Sequence, residues 1–158
     1  MAQDPAEALL EPERLAVLTL DGRKWLLPQR EIQSLEPLLD VVADDGSPDR
    51  MGVIAFQENW WPVYCVSGEL DVLREIPAAR RVCVLLNDGD NQFALVCDQV
   101  EALDEERPRI RPLPACMALP DSPLQALLVY KGGLGCITTT VRLAAFFARR
   151  EGLESAYA

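Results

Sequence analysis

The chain has 158 residues and a mass of 17.5 kDa, the size of one domain or of a pair of very small barrels, and its 49% hydrophobic content excludes intrinsic disorder over most of its length. Lys and Arg number 15 against 25 Asp and Glu, giving a net charge of −10 and a pI near 4.5, so phosphate backbones and anionic lipid are unfavourable partners. With no histidine in the sequence, imidazole metal ligands and every Ser-His-Asp or Cys-His arrangement are excluded.

In chain order, the opening MAQDPAEALLEPER is acidic and lacks the basic and apolar regions of a secretory signal, so a cytoplasmic protein is expected. No apolar run approaches the roughly 20 residues that span a bilayer, so direct membrane insertion is not expected. Leu15 to Leu20 and Lys24 to Leu27 flank Asp21-Gly22, which predicts a hairpin. Gln29 to Leu39 has helix-like spacing, but Pro37 and the short length leave strand plus loop equally open. Ala43 to Asp49 reads as a loop. Met51 to Phe56 and Trp60 to Val66 predict a second hairpin around Gln57-Glu58-Asn59, and Gly68 to Glu75 is a short helical candidate. Arg81 to Leu86 and Gln92 to Val96 flank an Asp-Gly turn and give the clearest hairpin of all. Asp104 to Pro114, with three prolines, predicts an extended connection. Leu124 to Tyr130 and Leu134 to Thr138 form a last hairpin, followed by an amphipathic helix over Val141 to Arg150, capped by Thr139 or Thr140 and ended by Gly152. Eight to ten short strands with one terminal helix favour small barrels or a sandwich, and the missing inter-strand helices disfavour a parallel α/β sheet.

No catalytic motif is present: the sequence holds no GxGxxG, GxxxxGK[ST], GxSxG or HExxH, and its loop carboxylates do not follow the calcium-loop rhythm. No cofactor or metal is therefore expected. The five cysteines are widely spaced, form no CxxC pair and sit mostly in apolar segments, which reads as buried reduced thiols. Cys65 or Cys97 as a nucleophile would need a base or a cationic neighbour, and histidine cannot supply the base. The pair Trp60-Trp61 stands out, because adjacent strand residues face opposite sides and both rings cannot lie in one core. Exposed tryptophan is enriched at binding hot spots, so this pair is a candidate contact.

Several segments together resemble the CheW-like family of bacterial chemotaxis coupling proteins. Gly52-Val53-Ile54, followed eight residues after Ile54 by Pro62-Val63-Tyr64, resembles the family's GVI-x-LRG-x-x-x-PV signature. Ala94 to Val100 is similar to its GLLVD-x-V strand, Arg81 to Leu86 stands where its preceding strand lies, Leu18 to Leu27 resembles its opening hairpin, and Ile32-Gln33-Ser34-Leu35 falls at its V-x-E-I segment. The ordered set covers about residues 14 to 147. The resemblance implies an all-β fold with a C-terminal helix, built as two five-stranded SH3-like barrels around a shared apolar interface. It further implies a non-catalytic adaptor joining the regulatory domain of a CheA-type histidine kinase to the cytoplasmic tips of chemoreceptors. On this reading residues 1–13 are a tail, 14–150 a single CheW-like domain with a first barrel over about 14–76, a second over about 77–140 and the terminal helix over about 141–151, and 152–158 a second tail.

The chain departs from the family at positions associated with partner contact. The family arginine after GVI-x-L is Gln57, its glycine is Glu58, and the acidic residue of V-x-E-I is Ser34. A guanidinium is a bidentate donor that glutamine does not replace. The candidate partner-binding residues are thus Ser34, Gln57, Glu58, Trp60 and Trp61, and a specialised array, such as one controlling type IV pili, fits these departures. Two other functions suit the same barrels: a small-molecule or peptide sensor with the Trp60-Trp61 region lining a pocket between them, and a thiol enzyme using Cys65 or Cys97.

Overall fold

The computed structural model describes residues 14–43, 50–103, 109–117, 122–130 and 133–157, with side chains through residue 149. The described residues begin with β1 (Leu15–Leu20) and β2 (Arg23–Pro28), paired antiparallel through the Asp21-Gly22 turn. Both turn residues have positive φ, 52° and 83°, the backbone that makes Asp-Gly a favoured two-residue hairpin turn. A single 3₁₀ turn over Gln29–Glu31 leads into β3 (Ile32–Pro37), which settles the ambiguous Gln29 to Leu39 segment as turn plus strand. A second 3₁₀ turn, Leu38–Asp40, then leads to β4 (Val42–Ala43). Next come the hairpins β5 (Gly52–Phe56) with β6 (Asn59–Tyr64) and β7 (Val82–Asn87) with β8 (Gln92–Cys97). β9 (Gln99–Ala102), β10 (Arg109–Arg111), β11 (Ala126–Tyr130) and β12 (Gly133–Ile137) precede helix α1 (Thr140–Tyr157).

The strands form two curled six-stranded sheets, the all-β architecture with a C-terminal helix expected from the family resemblance. One has the order β10-β11-β12-β2-β1-β9 and the other β3-β7-β8-β6-β5-β4. The sheets do not follow a sequential split at residue 76. β1 and β2 join β9 to β12 in one sheet, and β3 to β8 make the other. Two long-range parallel pairings, β12 with β2 and β6 with β8, set this order, and local hydrophobic periodicity carries no signal of them.

Alternation along each strand gives each sheet two apolar faces. Leu15, Val17, Leu26, Leu128 and Ile137 fill the inside of the first sheet, and Ile54, Trp61, Val63, Leu85 and Val96 fill the inside of the second. The remaining faces meet each other: Leu18, Leu20, Trp25 and Leu27 pack against Val84, Leu86, Phe93 and Leu95, with Leu143 and Phe147 of α1 closing one side. At about 1.5–3 kcal/mol for each buried side chain, this shared layer binds the sheets into one body.

Segment Gly68 to Glu75 is not a helix. Ser67 closes a tight loop instead, its N–H donating to the Asp71 carbonyl (2.8 Å) and its hydroxyl accepting from the Asp71 N–H (3.1 Å). Leu70 sits in this loop at φ 66° with its side chain in the inter-sheet layer. Gly68 passes so close to β1 that an added Cβ would lie 2.7 Å from the Leu20 carbonyl oxygen, which excludes any side chain. Helix α1 starts where Thr139 caps it, the Thr139 hydroxyl accepting from the Arg142 N–H at 3.3 Å. A second acceptor comes from the 3₁₀ turn before β3: the buried Glu31 carboxylate takes the Thr140 N–H at 2.7 Å. The helix runs through Gly152, since one interior glycine costs only about 1 kcal/mol and no proline follows it. Among the described residues, no helix is long and apolar enough to cross a membrane.

Candidate partner-binding surface

The buried Arg80 fixes how the sheets meet, and its own surroundings explain why a charge is tolerated there. Its guanidinium donates to the carbonyls of Val96 and Val66, each at 2.7 Å, and to Asp21 Oδ1 at 2.9 Å. Its Nε lies 2.9 Å from Asp98 Oδ1, a charge contact whose angle is not that of a hydrogen bond. Asp98 Oδ2 accepts the Asp21 N–H at 2.9 Å, and the Trp25 indole donates to the Gly68 carbonyl at 2.8 Å. One cation therefore ties the β1–β2 turn, the Ser67–Asp71 loop and the end of β8 together. In the sequence Arg80 reads as a loop charge, and the carboxylate at Asp98, just after an apolar strand, is the only hint of its partner.

The β5–β6 hairpin is held to the sheet by the parallel pairing of β6 with β8. Pairing of Phe56 with Asn59 leaves a two-residue turn at Gln57 and Glu58, with φ of 48° and 68°. Neither residue is glycine, so both bear the left-handed backbone at a cost of about 1–2 kcal/mol each. The turn follows the primed geometry that strand twist requires, with unfavourable residues at its tip. Trp60 and Trp61 then face opposite sides. Trp61 is 4% exposed, packed edge-on against Phe56 with ring centroids 6.0 Å apart, and its buried indole N–H has no acceptor. Trp60 is 63% exposed. Only Trp60 of the pair offers its ring at the surface, and neither ring lines a described cleft between the sheets.

Ser34 lies apart from the other four candidates. β3 is one edge of its sheet, and β7, β8 and β6 stand between it and β5. The Ser34 hydroxyl donates to Glu36 Oε1 at 2.6 Å, next to a register shift between Ile32 and Ser34 in the pairing with β7. Beside it Leu35 is 50% exposed, at a mostly apolar groove of about 250 Å³ lined also by Ala16, Ile32, Val100 and Ala102 with Gln29 and Glu101 as its polar members. The groove runs between the edge strands β3 and β9, one from each sheet. Leu35 was not among the candidates drawn from the sequence; its alternation with Ser34 on an ambiguous segment gave no means of seeing that it faces solvent.

A second cleft, of about 160 Å³, lies at the other side of the inter-sheet layer. Its floor is Tyr64 stacked on Phe147, with centroids 4.7 Å apart, and Phe93 edge-on to both. Pro62, Asn91, Gln92, Ala144 and Ala148 make the walls. At its rim the Asp88 carboxyl is held below the usual range. Slight burial raises it, but bonds from the Asn91 side chain and from the backbone N–H groups of Asn91 and Asp90 outweigh that effect.

The three buried thiols, Cys65, Cys83 and Cys97, are poor nucleophiles, whereas Cys116 is exposed. Burial pushes Cys65 up despite the nearby Arg80 cation, raises Cys83 to about 12, and drives Cys97 higher still. Cys65 and Cys97 are thus held protonated at neutral pH, the reverse of what a thiol enzyme needs. Among the described residues, no group of three or more His, Cys, Asp or Glu side chains is arranged to hold a metal.

Comparison with known proteins gives this geometry its context. The family model described as the CheW-like domain matches residues 14–115. Among solved structures, the scaffolding protein TtCheW from Thermoanaerobacter tengcongensis shares the fold, with a TM-score of 0.64 at 14% identity over 80% of this chain and 88% of that one. No curated protein matches the chain.

Proposed function

The chain belongs to the CheW-like domain family of chemotaxis coupling adaptors, and from that premise we propose that it is a non-catalytic cytoplasmic scaffold that holds two partners at once. The observation that carries this reading is the separation of two surfaces with exposed apolar side chains, one at the β5–β6 hairpin and one at the groove between the edge strands β3 and β9. The Gln57-Glu58-Trp60 hairpin stands toward one edge, and the groove beside Ser34 and Leu35 lies at the other. Two sites that share no residue let both partners bind without competition.

The projecting Trp60 suits insertion into a pocket of a folded domain, so the hairpin is assigned to the regulatory domain of a CheA-type histidine kinase. The concave groove suits the convex face of a helical chemoreceptor tip. Many such weak contacts gain strength by assembly in an array. Gln57 and Glu58 replace a cation and a glycine with a neutral amide and an anion, which supports a dedicated kinase partner in a specialised array, such as one controlling type IV pili.

Titration calorimetry of the full chain with the regulatory domain of each CheA-type kinase of its organism tests the proposal. Micromolar or tighter binding to one of them, weakened at least tenfold by Trp60→Ala and unchanged by Leu35→Asp, is expected. Absence of heat with every such domain, from folded protein, would overturn it.

A further inference from the structure

We infer that the cleft between β6 and α1 is a docking groove for a cationic amphipathic helix supplied by a partner protein. The inference rests on the adaptor reading for the hairpin beside the cleft and specifies the chemistry of what lies behind that hairpin. Residues of a parallel pair share a face, and β6 pairs parallel with β8 through Val63 with Ala94 and Tyr64 with Leu95. Extending that register backward puts Pro62 beside Phe93 and Trp60 beside Asn91. Trp60, Pro62 and Tyr64 therefore form one apolar stripe, alternate residues of β6 on the side that faces α1.

The opposite wall is helical. Val141, Ala144 and Ala148 recur at i, i+3 and i+7 and so fall on one face of α1, with Val141 exposed and the two alanines lining the cleft. The small alanines leave the room: about 160 Å³, enough for one large apolar side chain, over a floor of Tyr64, Phe93 and Phe147.

The form of the occupant follows from the backbone. β6 is hydrogen-bonded to β5 on one side and β8 on the other, so it has no free edge to add a strand to. An occupant must satisfy its own backbone groups, which a helix does. Its charge follows from the rim. The same parallel register carries the Gln57-Glu58 turn and the Asp88-to-Asn91 turn to one end of the sheet, so Glu58, Asp88 and Asp90 stand at the end where Asn91 and Gln92 wall the cleft. The Asp88 carboxylate accepts from the side-chain amide of the lining residue Asn91 at 3.1 Å. On a chain of net charge −10, the complement is a helix with an apolar anchor and Lys or Arg on its flanks.

The test titrates the full chain with a labelled 18-residue Leu/Lys model amphipathic helix that lacks tryptophan, read by fluorescence anisotropy. A Leu/Glu peptide of the same pattern and a proline-interrupted Leu/Lys peptide serve as comparisons. Micromolar binding of the Leu/Lys helix alone is expected. Ala148→Leu, which fills the cleft with a good helix former, and Trp60→Ala should each weaken it at least tenfold, and Leu35→Asp on the distant groove should leave it unchanged. Equal binding by Ala148→Leu, or by the proline-interrupted peptide, would overturn the inference, as would self-association of the free chain that Ala148→Leu abolishes. Kinase titration and peptide titration fail independently, so loss of one reading is distinguishable from loss of the other.

Discussion

Replacing Asp98 with alanine should destabilise the fold by about 3–5 kcal/mol, the usual cost of stripping one partner from a buried ion pair. The magnitude follows from the position of Arg80. Its side chain is completely inaccessible to solvent and Asp98 is 16% exposed, so no water replaces the lost carboxylate. The guanidinium keeps the Val66 and Val96 carbonyls and the Asp21 carboxylate at 2.9 Å, but Asp21 is 41% exposed and solvent screens its charge more than that of Asp98. At about 2–4 °C per kcal/mol for a domain of this size, the melting temperature should fall by roughly 6–20 °C in scanning calorimetry. The contrasting variant is Arg23→Ala. The Arg23–Glu69 pair spans 3.9 Å with both side chains more than half exposed, so its loss should cost under about 1 kcal/mol. If Asp98→Ala unfolds within about 1 kcal/mol of the parent chain, the account of Arg80 as the tie between the sheets is wrong.

The two adjacent tryptophans should separate in urea unfolding: Trp61→Ala should cost about 3–5 kcal/mol and Trp60→Ala under about 0.5 kcal/mol. Similar losses for both would contradict their assignment to opposite faces. The double change Gln57→Asn with Glu58→Gly relieves two left-handed side chains and should stabilise the hairpin by about 1 kcal/mol, while a lower urea midpoint would show that the turn tip is held by contacts of Gln57 or Glu58. Stability should also decline in alkali. Cys83, raised to about 12 when folded, stays protonated above pH 8.5 while the unfolded thiol ionises, so its contribution is intact below about pH 8.5 and lost as pH rises toward 12. Between pH 7 and 10 this amounts to about 2 kcal/mol, and Cys83→Ala should make the decline shallower by that amount. An unchanged slope would remove Cys83 from the alkaline limb.

The hairpins could be read from the sequence because their causes are local. Alternation and turn chemistry at Asp21-Gly22 and at Asn87 to Asn91 suffice to place β1, β2, β7 and β8 within a residue or two. Gly68 to Glu75 misleads, since Ser67 and a left-handed Leu70 compete with the helix through bonds that spacing does not register. The distribution of strands between sheets depends on β12 finding β2 and β6 finding β8, contacts between distant segments. The candidate surface divides the same way. Alternation showed that one of Trp60 and Trp61 had to leave the core, but not which. Ser34 was grouped with Gln57 by family resemblance, although three strands separate them in the sheet. Arg80 and Glu31 look like ordinary surface charges until folding brings Asp98 and the first N–H of α1 to them.

Simultaneous occupancy is measured by calorimetric titration of a soluble chemoreceptor tip fragment into the preformed complex of this chain with its kinase regulatory domain. An affinity within about twofold of that for the free chain is expected, because the Trp60 hairpin and the Leu35 groove share no residue. Displacement of the kinase domain by the receptor fragment would contradict it, showing one surface where two are claimed.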